Sequence, residues 1–242
     1  MTFWEHLEAL RGTIIRSVLA VVAVSLVFMF IPSQLFKAVL WPTEPSFIFY
    51  NLAGLDFSLS LINIELTAQF FVHLKLSFLC GALVAFPFIV YEIWRFIEPA
   101  LYEGERKAAR RAFGLSSFLF YLGAAVGYLV VLPICLMFFM NYSVSPDVVN
   151  QITLGSYISL FIPMVFLLGL LFEFPSAVLL LSNMGILKRS QLRSGRKYAV
   201  IITMVLSALI TPSDPFSMFA LAIPLYGLYE FSIILCKNDL AE

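Results

Sequence analysis

The stretch RFIEPALYEGERKAARR, residues 95–111, is the longest strongly charged interruption in an otherwise apolar sequence. It holds five lysine or arginine side chains and three glutamates. Apolar runs long enough to cross a bilayer flank it on both sides, which predicts an aqueous loop between two membrane spans. A helix restarting near Leu101 would pair Glu103 with Lys107, four residues later, and would leave Glu105 without such a partner. An unpaired carboxylate among cations is either solvated or available to a ligand.

The overall composition excludes a soluble globular domain. Of 242 residues, 61% are hydrophobic and 12% are charged, and the mean hydropathy is +0.96, whereas soluble domains carry roughly twice that charged fraction. The sequence therefore predicts a polytopic membrane protein. The first apolar run continues for about 18 residues without a small-residue cleavage site, so it is interpreted as a retained span and not a signal peptide.

The apolar runs predict an all-α protein with six transmembrane helices in a single membrane domain, residues 1–242. The N-terminal segment 1–12 is amphipathic and is expected to lie at the membrane surface, and the segment 32–68 is expected to form short interfacial helices packed on the bundle. Bends or breaks in the spans are expected at Pro87, Pro133, Pro163, Pro175 and Pro224. The predicted spans are residues 13–31, 69–94, 112–140, 154–181, 198–211 and 218–236.

The distribution of cations predicts the orientation of these spans. Thirteen of the fifteen lysine and arginine residues lie in or beside the N-terminal segment, the loops 95–111 and 183–197, and the C-terminal tail. The positive-inside rule then assigns both termini and both basic loops to the cytoplasm, which requires an even number of spans. The fifth span, at 14 residues or about 21 Å, is short for a hydrocarbon core of about 30 Å.

Four carboxylates within or near the spans are candidates for function. Glu173 follows a long uncharged run, and a carboxylate at that depth faces the protein interior or water, or stays protonated against a neighbouring helix. For Glu92 and Glu230, nearer span ends, an interfacial position with water or a lysine in reach is favoured. Asp214 stands in a short turn, where it could act in binding or simply cap the sixth helix.

No enzymatic site is predicted. The sequence has no nucleotide-binding glycine loop, HExxH, GxSxG or paired-cysteine motif, and its three cysteines lie in or beside apolar runs without ligand spacing, at positions Cys80, Cys135 and Cys236. No metal and no cofactor are therefore expected.

Several motifs together resemble the TatC family, the receptor subunits of the twin-arginine protein translocase. They are HLEALR at 6–11, WRFIEPALYEGER at 94–106, FEFP at 172–175, LITPSD at 209–214 and LAIPLYGLYE at 221–230. The resemblance covers nearly the whole chain, and the motif in the central loop is highly specific. It implies a cup-shaped bundle in the bacterial cytoplasmic membrane that binds twin-arginine signal peptides of folded precursors at its cytoplasmic face.

The resemblance also implies partners and site residues. Single-span proteins of the TatA and TatB types, a homo-oligomeric receptor complex and the proton-motive force are expected. Carried over by motif, the signal-peptide contacts fall on Phe96 and Glu105, the intramembrane polar position on Glu173 and the acid of the outer turn on Asp214. The chemistry agrees, because two adjacent guanidinium groups need carboxylates and Phe96 offers a ring to an apolar residue or an arginine face.

The chain departs from the family pattern at two places. Ala9 stands where the family has a glutamate in HLxELR, and TAQFF at 67–71 replaces a segment that commonly contains proline and often an acid. Glu5 lies four residues before position 9, on nearly the same helix face, whereas Glu8 is rotated by about 100° and is well placed to pair with Arg11. Glu5 is therefore predicted to supply the missing carboxylate, with Glu8 secondary.

Two other functions would fit a polytopic membrane protein. A proton-coupled transporter of a small solute could use Glu173 as its proton site, but such transporters usually show repeats with matched broken helices, and no such symmetry is visible. A structural scaffold would need neither a buried glutamate nor patterned carboxylates.

Overall fold

The computed structural model describes residues 3–101, 103–143, 145, 147, 150–211 and 214–236, and at positions 3, 100, 103–105, 107, 108 and 111 it describes the backbone alone. In this part of the chain, five helical stretches are long and apolar enough to span a membrane, judged by length and composition. They are Trp4–Met29, Ala68–Ile97, Ala112–Asn141, Leu154–Asn183 and Pro215–Leu235. The fold is thus the predicted all-α membrane class.

The described residues form twelve α-helices and one pair of two-residue strands. In chain order these are α1 (Phe3–Met29), α2 (Pro32–Leu40), α3 (Ile48–Ala53), β1 (Leu61–Ile62), α4 (Ala68–Ile97), α5 (Glu103–Val126), α6 (Leu132–Asn141), β2 (Ile152–Thr153), α7 (Leu154–Ile162), α8 (Leu168–Leu171), α9 (Phe174–Asn183), α10 (Arg189–Ser194), α11 (Arg196–Ile210) and α12 (Pro215–Leu235). Two 3₁₀ turns, Trp41–Thr43 and Glu98–Ala100, and two π segments, Gly127–Val131 and Pro163–Leu167, complete the helical structure.

Helix α1 packs along α4 and runs without a break from the amphipathic N-terminal segment into the first apolar run. The two backbones come close at Gly81, where a Cβ atom would lie 2.0 Å from Ser25 Oγ and 2.9 Å from the carbonyl oxygen of Val21. Only a residue without a side chain fits there, in keeping with the small residues that bring membrane helices together.

The segment between α1 and α4 folds onto the bundle, as the sequence predicted. The side chains of Phe47 and Tyr50 are fully buried, and the hydroxyl of Tyr157 in α7 donates to the carbonyl of Val39 at 2.6 Å. Strand β1 pairs in parallel with β2, with Leu61 opposite Ile152. This strand pair was not predicted, because two-residue strands leave no periodic pattern.

The two π segments interrupt long helices and pack against each other. One ends two residues before Pro133 and the other begins at Pro163, near the bends that the sequence predicted. Because proline lacks an N–H and its ring clashes with the preceding turn, a widened turn accommodates it. The contact between the segments depends on Gly127, whose Cβ would lie 2.0 Å from the carbonyl oxygen of Met164.

The C-terminal part of the described chain is a helical hairpin of α11 and α12. Helix α11 occupies the predicted fifth span with 15 residues, about 22 Å at helical rise, and so is shorter than the five stretches named above. Helix α12 packs on α9 as well as on α11. Its sharp start follows from the cap and the proline at its first turn, an arrangement typical of helix N-termini.

Candidate functional site

The N-terminal turns of α1 lie beside the end of α4, next to the charged loop 95–111. The rings of His6 and Phe96 are 4.5 Å apart between centroids and tilted by 34°. Glu5 and Glu8 are both exposed on the same turns of α1. The structure therefore brings Phe96 together with the helix that carries the two N-terminal glutamates.

A second carboxylate on this helix, that of Glu8, is also exposed. The predicted ion pair between Glu8 and Arg11 is absent among the described residues, whose ion pairs join other side chains. The reason is that both groups are exposed to water, where the gain from such a pair is small compared with the entropy of holding two long side chains. Glu8 is thus open to solvent and to a ligand.

The charged loop is compact. Helix α4 ends at Ile97, a 3₁₀ turn follows at Glu98–Ala100, and α5 begins at Glu103. Glu98 faces Arg106 across the turn at 3.7 Å. Glu105 lies in the first turn of α5, where free backbone N–H groups and the helix dipole favour a negative charge.

Two predictions about the loop concern side chains outside the described residues. They are the contact role of Glu105 and the intrahelical pair of Glu103 with Lys107. Both stay predictions.

An ion pair that was not predicted joins α1 to α4 close to this place. Nε and Nη2 of Arg16 both approach Oε2 of Glu92 at 2.7 Å. Glu92 is only 2% exposed, so the interfacial position expected for it, with water or a lysine in reach, is wrong. The signal in the sequence was an arginine and a glutamate, each inside an apolar run, since charges in such runs usually pair with one another.

Glu173 lies where the fourth long helical stretch is broken, between α8 and α9. Its Oε2 accepts hydrogen bonds from the hydroxyl of Ser116 in α5 and from the hydroxyl of Ser176 at 2.8 Å. Its Oε1 is buried and has no hydrogen-bond partner within the described parts of the chain. The carboxyl group therefore faces the protein interior and joins two helices, and one of its acceptor oxygens remains unfilled.

The remaining two acids have structural partners. Asp214 caps α12, accepting from the backbone N–H of Ser217 at 2.6 Å, which is the capping alternative raised for it. Glu230 accepts hydrogen bonds from Arg196 at 2.7 Å and from the hydroxyl of Tyr226 at 2.9 Å. Its positively charged partner is therefore an arginine of α11, where a lysine or water was expected.

No cluster of three or more histidine, cysteine or acidic side chains that could hold a metal occurs among the residues with described positions. Beside the charged loop, α1 carries the exposed carboxylates of Glu5 and Glu8, close to the rings of His6 and Phe96. Such a surface suits a cationic, partly apolar ligand.

Comparison with known proteins identifies the family. A sequence model described as "Sec-independent protein translocase protein (TatC)" matches residues 5–224. The chain belongs to the TatC family. Two of its relatives are the TatC proteins of Blattabacterium, 34% identical with 96% of this chain and 94% of the relative covered, and of Escherichia coli K12, 32% identical with 96% and 86% covered.

Solved structures agree with the family assignment. A crystal structure of the twin-arginine translocase receptor TatC in DDM matches with a TM-score of 0.82 at 33% identity, covering 96% of this chain and 99% of that chain. As a TatC protein, the chain is an integral membrane component of the twin-arginine translocase and has its receptor role. The resemblance found in the motifs is thereby confirmed, and a small-solute transporter is not favoured.

Within this TatC fold, the predicted site residues with described side chains lie at three separate places. Phe96 lies at the end of α4, beside the turns of α1 that carry Glu5 and Glu8. Glu173 belongs to the contact between α5 and the break before α9, and Asp214 to the first turn of α12. These residues therefore do not all belong to one binding surface.

Proposed function

We propose that this TatC protein binds twin-arginine signal peptides of folded precursors on the surface formed by the first turns of α1 and the charged loop. The observation that carries the proposal is the contact of His6 with Phe96, which brings the turns of α1 that carry Glu5 and Glu8 to the end of α4. With TatA- and TatB-type partners and the proton-motive force, the bound precursor is then exported across the bacterial cytoplasmic membrane.

The chemistry of the surface favours arginine over lysine. A guanidinium group is planar and presents paired N–H donors, so it gains most from carboxylates held at a fixed direction and distance. The three carboxylates that we propose for this role are those of Glu105 at the start of α5 and of Glu8 and Glu5 on α1. The ring of Phe96, about half-buried against α1, offers a face to a guanidinium or to an apolar side chain of the peptide.

The topology that we propose has six spans in a cup-shaped bundle, with both termini in the cytoplasm. Its support is the concentration of thirteen cations in the termini and the two basic loops. Single cysteines at positions 45 and 147 should react with an impermeant reagent in sealed cells, and those at positions 104 and 190 only after permeabilisation. Labelling of position 104 in sealed cells would end this topology.

The short helix α11 is proposed as a docking surface for the single-span partners. Its side chains Ile201, Val205 and Leu209 are 61%, 53% and 77% exposed. A span of about 22 Å is mismatched to a bilayer core of about 30 Å, and association with a longer helix is one way to relieve that mismatch. Photo-crosslinking from position 205 should capture a TatA- or TatB-type protein. Capture of lipid alone would contradict the assignment.

The peptide site is tested by the change Glu105→Gln, which removes one charge and keeps the shape. Loss of a charge-assisted hydrogen bond, about 1.5–3 kcal/mol, should weaken binding of a twin-arginine peptide by about 10- to 150-fold. The matched control Glu103→Gln, two residues away, should change binding much less. An equal loss in both variants would mean that the loop acts through its bulk charge.

A further inference from the structure

The ion pair between Arg16 and Glu92 is built to hold one geometry. Two donors of the guanidinium converge on one carboxylate oxygen, and the arginine side chain folds back along its own helix, with Nη2 3.5 Å from Thr13 Oγ1. A Cβ at Gly12 would lie 3.1 Å from Nη1, so the glycine leaves room for that course. The glutamate side chain is 3% exposed and that of the arginine 45%.

This pair is well suited to set the register of α1 on α4. Much of the contact is apolar or made by small residues, for example at Val21, Ala82 and Ala85, and apolar helix surfaces can slide with little penalty. A buried polar pair cannot slide, and fixing register is the best-attested role of such groups. The close approach at Gly81 and Ser25 acts further along the same helices.

The register of α1 on α4 also determines how the first turns of α1 lie against the end of α4 at Phe96. Phe96 lies four residues after Glu92 and thus on the same face of α4, and it contacts His6 of α1. A shift of α1 by one residue would move Glu5 and Glu8 by about 1.5 Å along the helix axis and turn them by about 100°. The distance from these carboxylates to Phe96 therefore depends on the ion pair.

We propose that Arg16 and Glu92 are positioning residues for twin-arginine recognition. They hold the glutamates of α1 at the distance from Phe96 and the charged loop that two adjacent guanidinium groups require. The inference rests on the proposed function of this surface. Neither residue touches the peptide in this role. Their contribution is to arginine selectivity, because a lysine ammonium is a point charge that tolerates displaced carboxylates better than a planar guanidinium does.

The test compares the affinities of the full-length, detergent-solubilised protein for a twin-arginine peptide and for the same peptide with twin lysine. Glu92→Gln is the primary change, because it leaves only a half-exposed arginine without its partner. It should lower the selectivity ratio, defined as the Kd for the twin-lysine peptide divided by the Kd for the twin-arginine peptide, by about tenfold. This change is equivalent to about 1.4 kcal/mol. An unfolded fraction of protein reduces both signals equally and cancels in the ratio.

Two further variants separate positioning from general damage. The exchange Arg16→Glu with Glu92→Arg restores an ion pair between the same helices and should recover most of the selectivity. The control Arg196→Gln breaks another 2.7 Å pair, with Glu230, between α11 and α12. It should leave the ratio at the parent value, since that pair joins helices other than α1 and α4.

The outcomes distinguish this inference from the proposed function on which it rests. If the parent protein does not prefer the twin-arginine peptide, the proposed function fails first and the positioning role with it. If the parent prefers it and Glu92→Gln keeps the full ratio, the positioning role alone is wrong. Tighter twin-arginine binding in Arg16→Gln would also overturn it, because Arg16 would then compete with the peptide for Glu92.

Discussion

Replacing Glu173 by alanine should separate recognition from transport. The carboxyl group lies in the break between α8 and α9 and bonds to Ser116 and Ser176, away from the contact of His6 with Phe96. Its buried Oε1 has no partner in the described structure, so a signal helix or a partner's span that opened this break would find a free acceptor there. The change Glu173→Ala removes that acceptor and leaves the charged loop intact.

The expected loss of stability is small. Ser176 keeps its 2.9 Å bond to the backbone carbonyl of residue 173, so only the hydroxyl of Ser116 loses its acceptor. Hydrogen bonds between membrane helices contribute about 0.6 kcal/mol on average and about 1.7 at most. Removing a buried oxygen that lacks a partner offsets part of this. A net destabilisation of about 1 kcal/mol leaves the protein folded, since total stabilities are about 5–15 kcal/mol.

The assay measures three quantities on the same variant. Twin-arginine peptide binding should stay within about twofold of the parent, and the midpoint of thermal unfolding in detergent should fall by a few degrees. Export of a folded precursor should fall by about tenfold, the effect of one lost hydrogen bond to a charged group. Crosslinks to the single-span partners should change as well.

The matched control is Ser116→Ala, which removes the same bond between helices and keeps the carboxyl group. It should lower stability about as much as Glu173→Ala while export continues. Parent-like export in Glu173→Ala would reduce Glu173 to a structural link between helices. Equal export defects in both variants would refute the argument in another way, by showing that the packing of α5 against this break is what transport needs.

Three further changes have defined outcomes. Gly127→Ala places a Cβ 2.0 Å from a backbone oxygen and should lower the free energy of unfolding by about 1–3 kcal/mol. Gly114→Ala, where a Cβ would have nothing within 4 Å, should be neutral or stabilising. Similar unfolding midpoints for the two variants would contradict the close packing of the π segments. Asp214→Ala should cost about 1 kcal/mol through the lost cap, and Asp214→Asn much less, so a large export defect in the asparagine variant would point to a role for the charge. Glu5→Gln should weaken twin-arginine binding more than Glu8→Gln does, and the reverse order would show that the exposed, unpaired Glu8 is the main contact.

Local sequence features determined the class of protein and its likeness to a family. Composition and the length of the apolar runs predicted membrane helices because a bilayer core imposes both on any spanning segment. Pro133 and Pro163 indicated where two long helices deform, since the missing N–H acts on neighbouring turns. Helices α4 and α12 nevertheless continue through Pro87 and Pro224, so a proline alone did not decide where a helix is interrupted. The order and spacing of short motifs, from HLEALR to LAIPLYGLYE, was enough to indicate the TatC family before any contact was known.

The pairing of distant residues was decided by the tertiary structure alone. Arg16 finds Glu92 across 76 positions, and Ser116 finds Glu173 across 57. In a soluble helix, the apolar face would indicate which side meets a neighbour. A membrane span is apolar all round, so its sequence does not show how the helix is rotated or how far it slides against the next one. Those two variables decide whether a buried charge meets a partner. They are settled by close contacts between helices, such as Gly81 with Ser25 and Gly127 with Met164.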